Sequence, residues 1–244
     1  MQHAQEMHKF LQQFIKPGDL VFDVGAHIGK KTDLYLNCQA NVVCFEPQPQ
    51  CIAALHKKFD NNAQVAIEQI GLAPEPGILT LLHSSKTPTL STFCQQWVDE
   101  SRFTGQYIWD QTFQVPVSTL DLMIHKYGIP QFCKIDVEGF EYEVLQGLTI
   151  PIQYIIFEFH IEQSESAHKC LNYLKKLGYT KFNFAIAERG IFLFSQWLSA
   201  DQLFELLQKE IHNKTWDSIW GLWGDIYACH QDADMSENNT SFTH

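Results

Sequence analysis

Positive charge is scarce in this sequence. Seventeen lysines and arginines stand against 28 aspartates and glutamates, for a net charge of −11, and no long basic cluster occurs. A nucleic-acid footprint needs cations that displace counterions from phosphates, so none is expected, and docking on an anionic lipid surface is disfavoured for the same reason. Long apolar runs are missing too. The opening "MQHAQEMHKFLQQFIKPGD" is broken by polar residues every few positions, unlike a signal peptide or a membrane span. Seven cysteines, an odd number without a C-x-x-C pair, do not read as a disulfide framework, and a cytoplasmic setting is expected. Most read as buried apolar filler; Cys133, beside "KIDVEG", is the candidate for a reactive thiol.

What is present is enough hydrophobic content, 45% of 244 residues, to bury a full core. Apolar runs at 20–24, 41–46, 64–70, 132–137 and 154–159 read as strands, alternating with helical periods at 29–37, 49–60, 119–127, 140–147 and 164–177. That alternation predicts an α/β fold around a mostly parallel sheet. In the last helix Ala167, Leu171, Leu174 and Leu177 form an apolar stripe that Gly178 closes as a C-terminal cap. "FNFAIA" and "IFLFS", joined by "ERG", read as an antiparallel hairpin at the end of the sheet. Residues 73–118, with "APEPG", a strand "ILTLLH" and a long aromatic stretch, break the rhythm and are expected to cover a site. The expected layout is a helical segment over 1–18, one domain over 19–230 carrying that insertion, and a mobile polar tail over 231–244.

Open α/β sheets bind ligands at the carboxyl ends of their parallel strands. Acids recur at those ends here: Asp23, Glu46, Asp136 with Glu138, and Glu158 with His160. The turn "FDVGAHIGKK" has the form D-x-G-x-x-x-G, and His27 stands where a dinucleotide fingerprint needs its second glycine. A carboxylate at the mouth of such a loop repels a pyrophosphate and attracts a ligand with an ammonium or sulfonium. Glu46, 23 residues after Asp23, is placed to accept both hydroxyls of a ribose. Together these features suit S-adenosylmethionine, against the alternative of a tight turn with no ligand.

Lys134 and Asp136, two apart in a strand, face the same side and would hold each other in position. Asp136 and Glu138 are read as positioning a substrate or accepting its proton, with Lys134 in support. Glu141 and Glu143 are explained by the preference of acids for a helix's first turn. Glu158 and His160 also share a face, where His160 would serve as a base near neutral pH. Asp136, Glu158 and His160 would alternatively make a carboxylate–histidine metal site, or the pair a hydrogen-bonded strand end. The other ten histidines read as surface residues. Trp97, Phe103, Tyr107 and Trp109 of the insertion form either an acceptor pocket or core, and Asp225 in "WGDIYA" is a further candidate for the site.

The segments "VFDVGAHIGKKT", "VVCFEPQP", "IGLAPEPGILTL", "VSTLDLMI", "KIDVEGFEYEVLQG" and "IIFEFH", in that order, resemble the FkbM family of S-adenosylmethionine-dependent methyltransferases, and "WGDIYA" extends the likeness to about residue 228. The resemblance implies a class I methyltransferase sheet, Rossmann-like, of seven strands with the last antiparallel. It implies that Asp23, Gly25 and Gly29 line the methionine end of S-adenosylmethionine, with Ala26 and Thr32 in the same loop and helix start. Glu46, followed by Pro47, would hold the ribose, and the turn of Ile70, Gly71 and Leu72 the adenine. Lys134, Asp136, Glu138, Glu158 and His160 would then serve catalysis. The implied activity is methyl transfer to a small-molecule acceptor, chiefly a hydroxyl of a sugar or secondary metabolite. A non-catalytic cofactor-binding or scaffold domain stays open as an alternative, and so does a nicotinamide-dependent oxidoreductase, which His27 disfavours. Metal dependence and oligomeric state are open at this point.

Overall fold

Val21, Phe22 and Val24 are all buried, so the strand they form lies inside a sheet covered on both faces. In the computed structural model, which describes residues 2–187, 189–213 and 223–232, that strand is β1 (Leu20–Val24). Helix α1 (Gln2–Leu11) precedes it, and α2 (Lys30–Asn37), β2 (Asn41–Phe45), α3 (Pro49–Phe59) and β3 (Val65–Glu68) follow. The short β4 (Gly71–Leu72) comes next, and the insertion contributes β5 (Gly77–His83), α4 (Gln95–Glu100) and β6 (Gln111–Ser118). The chain then returns through α5 (Leu120–Tyr127), β7 (Phe132–Ile135), α6 (Glu141–Gln146) and β8 (Tyr154–His160). It ends in α7 (Ser164–Lys176), β9 (Tyr179–Ile186), α8 (Ala200–Asn213) and β10 (Trp223–His230).

Seven strands form the central sheet in the order β3-β2-β1-β7-β8-β10-β9, parallel except for β10, which runs antiparallel between β8 and β9. This is the mostly parallel sheet with an antiparallel last strand that the sequence led us to expect. Alternation along the strands sorts side chains into two cores. Phe22, Val24, Ile135, Phe157 and Phe159 pack with residues of α5, α6 and α7, while Val21, Phe132, Tyr154 and Ile156 pack with residues of α1, α2 and α3. Helix α1 joins the second core through Met7, Phe10 and Leu11, and Phe10 meets the ring of Tyr227 on β10 at 5.4 Å. No helix among the described residues is long and apolar enough to cross a membrane.

Three local expectations need correction. The partner of β9 is β10, not "IFLFS", which meets β9 in the isolated bridge Ala185–Phe192 and in a bond from the Asn183 side chain to the Phe194 carbonyl, without forming a strand. In the insertion, β6 pairs from Gln111 to Val117 with β5 and, at Val117 and Ser118, with β4, giving a second sheet where only one strand was expected. Strand β7 stops at Ile135, leaving Asp136 and Val137 in the loop beyond it. Residues 233–244 of the expected tail and 214–222 lie outside the described residues.

Candidate active site

Strand order reverses between β1 and β7, where connections leave in opposite directions and open a crevice at the strands' carboxyl ends. On the face packed against α1 and α2, the apolar side chains give way at that end to polar ones. Asp23 stands beside Lys134, and Asp225 beside Glu158, in the strand register. Lys134, 2% exposed, sits between Asp136 at 3.2 Å and Asp225 at 2.9 Å. Burial would lower its pKa, but these two carboxylates outweigh that and raise it, so it is a fixed cation. The expected Lys134–Asp136 pairing is therefore present. Asp225 is a partner of that lysine rather than part of the wall facing the ligand.

A cleft of about 240 Å³ opens at this point. One wall is the turn after β1. Gly25 has a φ of +83°, and a side chain there would lie 1.8 Å from the carbonyl oxygen of Asp136, so only glycine lets the two loops meet. Glu46, 2% exposed, anchors that wall by accepting hydrogen bonds from the backbone N–H of His27 and of Gln48, one on each carboxylate oxygen at 2.8 Å. A carboxylate oxygen has a further lone pair for a second donor. Burial pushes the Glu46 carboxyl up to about 7, against those two backbone donors. Pro47, Ile70, Gly71 and Leu72 continue the wall, and the ring of Phe93 occupies the space a side chain at Gly71 would need.

The opposite wall is acidic: Asp136, Glu138 and Glu158 all line the cleft. Glu138 has a left-handed φ of 54°, rare for a residue with a side chain, and Thr92 holds it there by donating a 2.7 Å hydrogen bond to its carbonyl. Gly139 beside it has a φ of +92°, a conformation that favours glycine, and the Gln163 amide lies over its bare Cα. The Glu141 carboxylate accepts from the backbone N–H of Val137 and Gly139, so it braces this loop instead of merely favouring a helix dipole. Burial of Asp136 would raise its pKa, but Lys134 and then Lys31 overcome this and hold it below the usual carboxylate range. Glu138 is driven well up, first by burial and then by Glu158. Glu158 rises through burial and the nearby Asp136. Behind it, His160 Nε2 lies 3.0 Å from Glu158 Oε2, and that carboxylate outweighs burial to raise the imidazole's pKa.

The expected residues divide into those at the cleft and those beneath or beside it. Gly25, Ala26, Glu46, Pro47, Gly71, Leu72, Asp136, Glu138 and Glu158 line it. Asp23 is buried below, accepting a 2.6 Å hydrogen bond from Thr32, and burial pushes its carboxyl up to about 6 despite that donor. Gly29 faces away: its bare Cα makes room for the ring of Phe59 and for Leu55 on α3. Of the alternative metal set, Asp136 is paired with Lys134, and Glu138 takes its place beside Glu158 and His160. Trp97 is 1% exposed and packs on His160 at 4.8 Å, which makes it core, and Trp109 donates to the carbonyl of Leu90. Cys133 is fully buried, with burial pushing its thiol far up, so it is no nucleophile. His83, expected on the surface, is buried in a network with Ser91 and Gln48. Gln48, Ser91, Thr92, Phe93 and Lys31 at the cleft were not anticipated as site residues; the insertion is tied to it by the bond from Thr92 to the Glu138 carbonyl, 46 residues on, which no local pattern announces.

This lining suits S-adenosylmethionine. Glu46 offers acceptors for a diol, and the acids around Gly25 and Asp136 favour a positive centre over a phosphate. Residues 23–181 match the family model described as Methyltransferase FkbM domain. Hexuronic acid methyltransferase AglP of Haloferax volcanii is 26% identical over 162 residues, 64% of this chain and 62% of that protein. Methyltransferase sdnD of Sordaria araneosa is 29% identical over 155 residues, 52% of this chain and 60% of that protein. The chain thus spans about three-fifths of the length of these curated relatives. Among solved structures, Aeropyrum pernix fibrillarin with natively bound S-adenosyl-L-methionine superposes with a TM-score of 0.49 at 11% identity, over 93% of this chain and 76% of that one. The family match covers more than half of the chain and takes in the glycine turn, Glu46 and the acid-bearing strand ends. This chain belongs to the FkbM methyltransferase family, and its cofactor is S-adenosylmethionine.

Proposed function

We propose that this protein methylates a hydroxyl oxygen of a small-molecule acceptor, such as a sugar, a sugar acid or a secondary metabolite. The observation that carries the proposal is one cleft with two chemically distinct walls: a glycine turn with Glu46 on one side, and Asp136, Glu138 and Glu158 on the other. When bound, the cofactor supplies a methyl on a positively charged sulfur, which departs as a neutral thioether with the electron pair of the broken S–C bond. Glu46 would hold the ribose, while Gly25 and Ala26 let the backbone approach the methionine end and Gly71 and Leu72 border the adenine. Asp136, held as an anion by Lys134, faces the positive centre and receives the proton that the acceptor hydroxyl loses as its oxygen forms the new bond to carbon. Glu138 and Glu158 border the acceptor's approach, with His160 behind them, 3.0 Å from Glu158. The seven free cysteines fit a cytoplasmic place of action.

The name of the Haloferax relative puts hexuronic acids and their glycosides first among acceptors to try. With methyl-labelled cofactor, label is expected in an acceptor of this class. Asp136→Asn, nearly isosteric, should lower kcat by about 100-fold or more, within the range for losing a positioned base, while S-adenosylhomocysteine affinity stays near that of the parent. Full turnover in Asp136→Asn would remove Asp136 from the mechanism.

A further inference from the structure

Beside the anion at Asp136, a second group of ligating atoms converges that the transfer just described leaves without a partner. One oxygen each of Glu138 and Glu158 and one ring nitrogen of His160 lie within 4.8 Å of one another. His160 is 7% exposed, yet neither of its ring nitrogens has a hydrogen-bond partner, and Glu138 Oε2 and Glu158 Oε2 are buried without one as well. Buried imidazole and carboxylate atoms are ordinarily satisfied, so three residues that each bring a buried ligating atom to one point call for a ligand. Of the cations near these atoms, Lys134 is committed to Asp136 and Asp225, and Arg102 to Glu162 through two hydrogen bonds.

We propose that Glu138, Glu158 and His160 hold one divalent cation at the floor of the cleft. His160 Nε2 and Glu158 Oε2 approach to 3.0 Å without the angles of a hydrogen bond. Two ligands at right angles take up that separation when each is about 2.1 Å from an ion. The surrounding structure also keeps these groups in place. Glu138 is fixed by its left-handed backbone and Thr92, and His160 lies between Trp97 at 4.8 Å and the parallel ring of Trp223 at 6.4 Å. Two carboxylates with one imidazole suit manganese or zinc, and three protein ligands leave positions for the oxygen of an acceptor.

The cation would supply what Asp136 lacks. A carboxylate held low by a lysine is a weak base for a hydroxyl, whereas a metal lowers the pKa of a bound water from 15.7 to about 7 in the best-known zinc case. That consequence rests on the function proposed above; the binding of the cation does not.

The experiment is a titration of the metal-stripped full chain with Mn2+, following the free-ion electron paramagnetic resonance signal, with S-adenosylhomocysteine affinity measured alongside. The parent is expected to bind one Mn2+ per chain. Glu158→Gln and His160→Ala should each weaken that site at least about tenfold, the low end of the loss seen for groups that merely support a ligand, while both still bind S-adenosylhomocysteine. A variant that loses both ligands is replaced by Glu138→Gln. Absence of a one-per-chain site in the parent, or undiminished binding in the variants, would overturn the proposal. If Mn2+ binds as expected and S-adenosylhomocysteine does not, the metal site stands and the methyl-transfer reading fails.

Discussion

Gly25 and Gly18 both have a positive φ, but only Gly25 is pressed against another backbone. A methyl group at Gly18 would meet nothing within 4 Å, whereas at Gly25 it would lie 1.8 Å from the Asp136 carbonyl. Gly18→Ala should therefore cost about 1 kcal/mol, the price of the backbone conformation alone, and Gly25→Ala roughly 3 kcal/mol or more, because the β1 and β7 loops must part. Urea unfolding of the two variants checks this; equal losses would mean that the close approach is not limiting. The acids at the strand ends were legible because each follows its own apolar run. Gly29 was not: its reason lies in Phe59 and Leu55 on another helix, a contact between residues far apart in the chain.

At the scale of elements, the insertion is tied to the sheet at its outer end by Arg102, whose guanidinium donates from Nε and one terminal nitrogen to the two oxygens of Glu162, just past β8. Such a two-bond pair fixes geometry as well as charge. Arg102→Met should leave Tm nearly unchanged but speed hydrogen exchange over residues 95–107 by roughly tenfold, with β7 and β8 unaffected; exchange indistinguishable from the parent would show that Trp97 packing alone holds the segment. Sequence patterning located β5 but passed over β6, although Phe113, Val115 and Val117 alternate. Pro116 obscured it, since a proline argues against a strand with neighbours on both sides. The fold accommodates it because β4 is so short that it pairs only with Val117 and Ser118. The partner of β9 was hidden for a different reason. β10 lies beyond an entire helix, and pairing at that distance leaves no local trace.

For the whole molecule, buried carboxylates couple stability to pH. Burial pushes Asp23 to about 6 and Glu46 and Glu141 each to about 7. Unfolded carboxylates titrate near about 4, so between there and neutrality the folded chain holds more protons than the unfolded one, and stability falls as pH rises. The contribution is complete below the unfolded values and gone above the folded ones. His160, also raised, acts in the same direction. Asp136, held low, changes stability only below the unfolded range, where its contribution is lost as pH falls. The ligand-free chain should accordingly melt roughly 5 °C or more higher at about pH 5 than at about pH 8. A flat or rising Tm across that interval would mean that these acids are ionised in the fold at little cost. The order of strands and helices could be read from the alternation of short apolar runs with helical periods. The joining of both walls into one cleft could not, because it depends on the sheet reversing between β1 and β7.

The methyl-transfer reading of the cleft depends on Glu46 and the glycine turn holding S-adenosylmethionine. Calorimetric titration with S-adenosylhomocysteine, for the parent and for Glu46→Gln, tests this most directly. Saturable one-to-one binding is predicted in the parent, with a loss of at least about tenfold in Glu46→Gln, in keeping with hydrogen bonds to a charged group. No binding in the parent, or equal affinity in the variant, would contradict it.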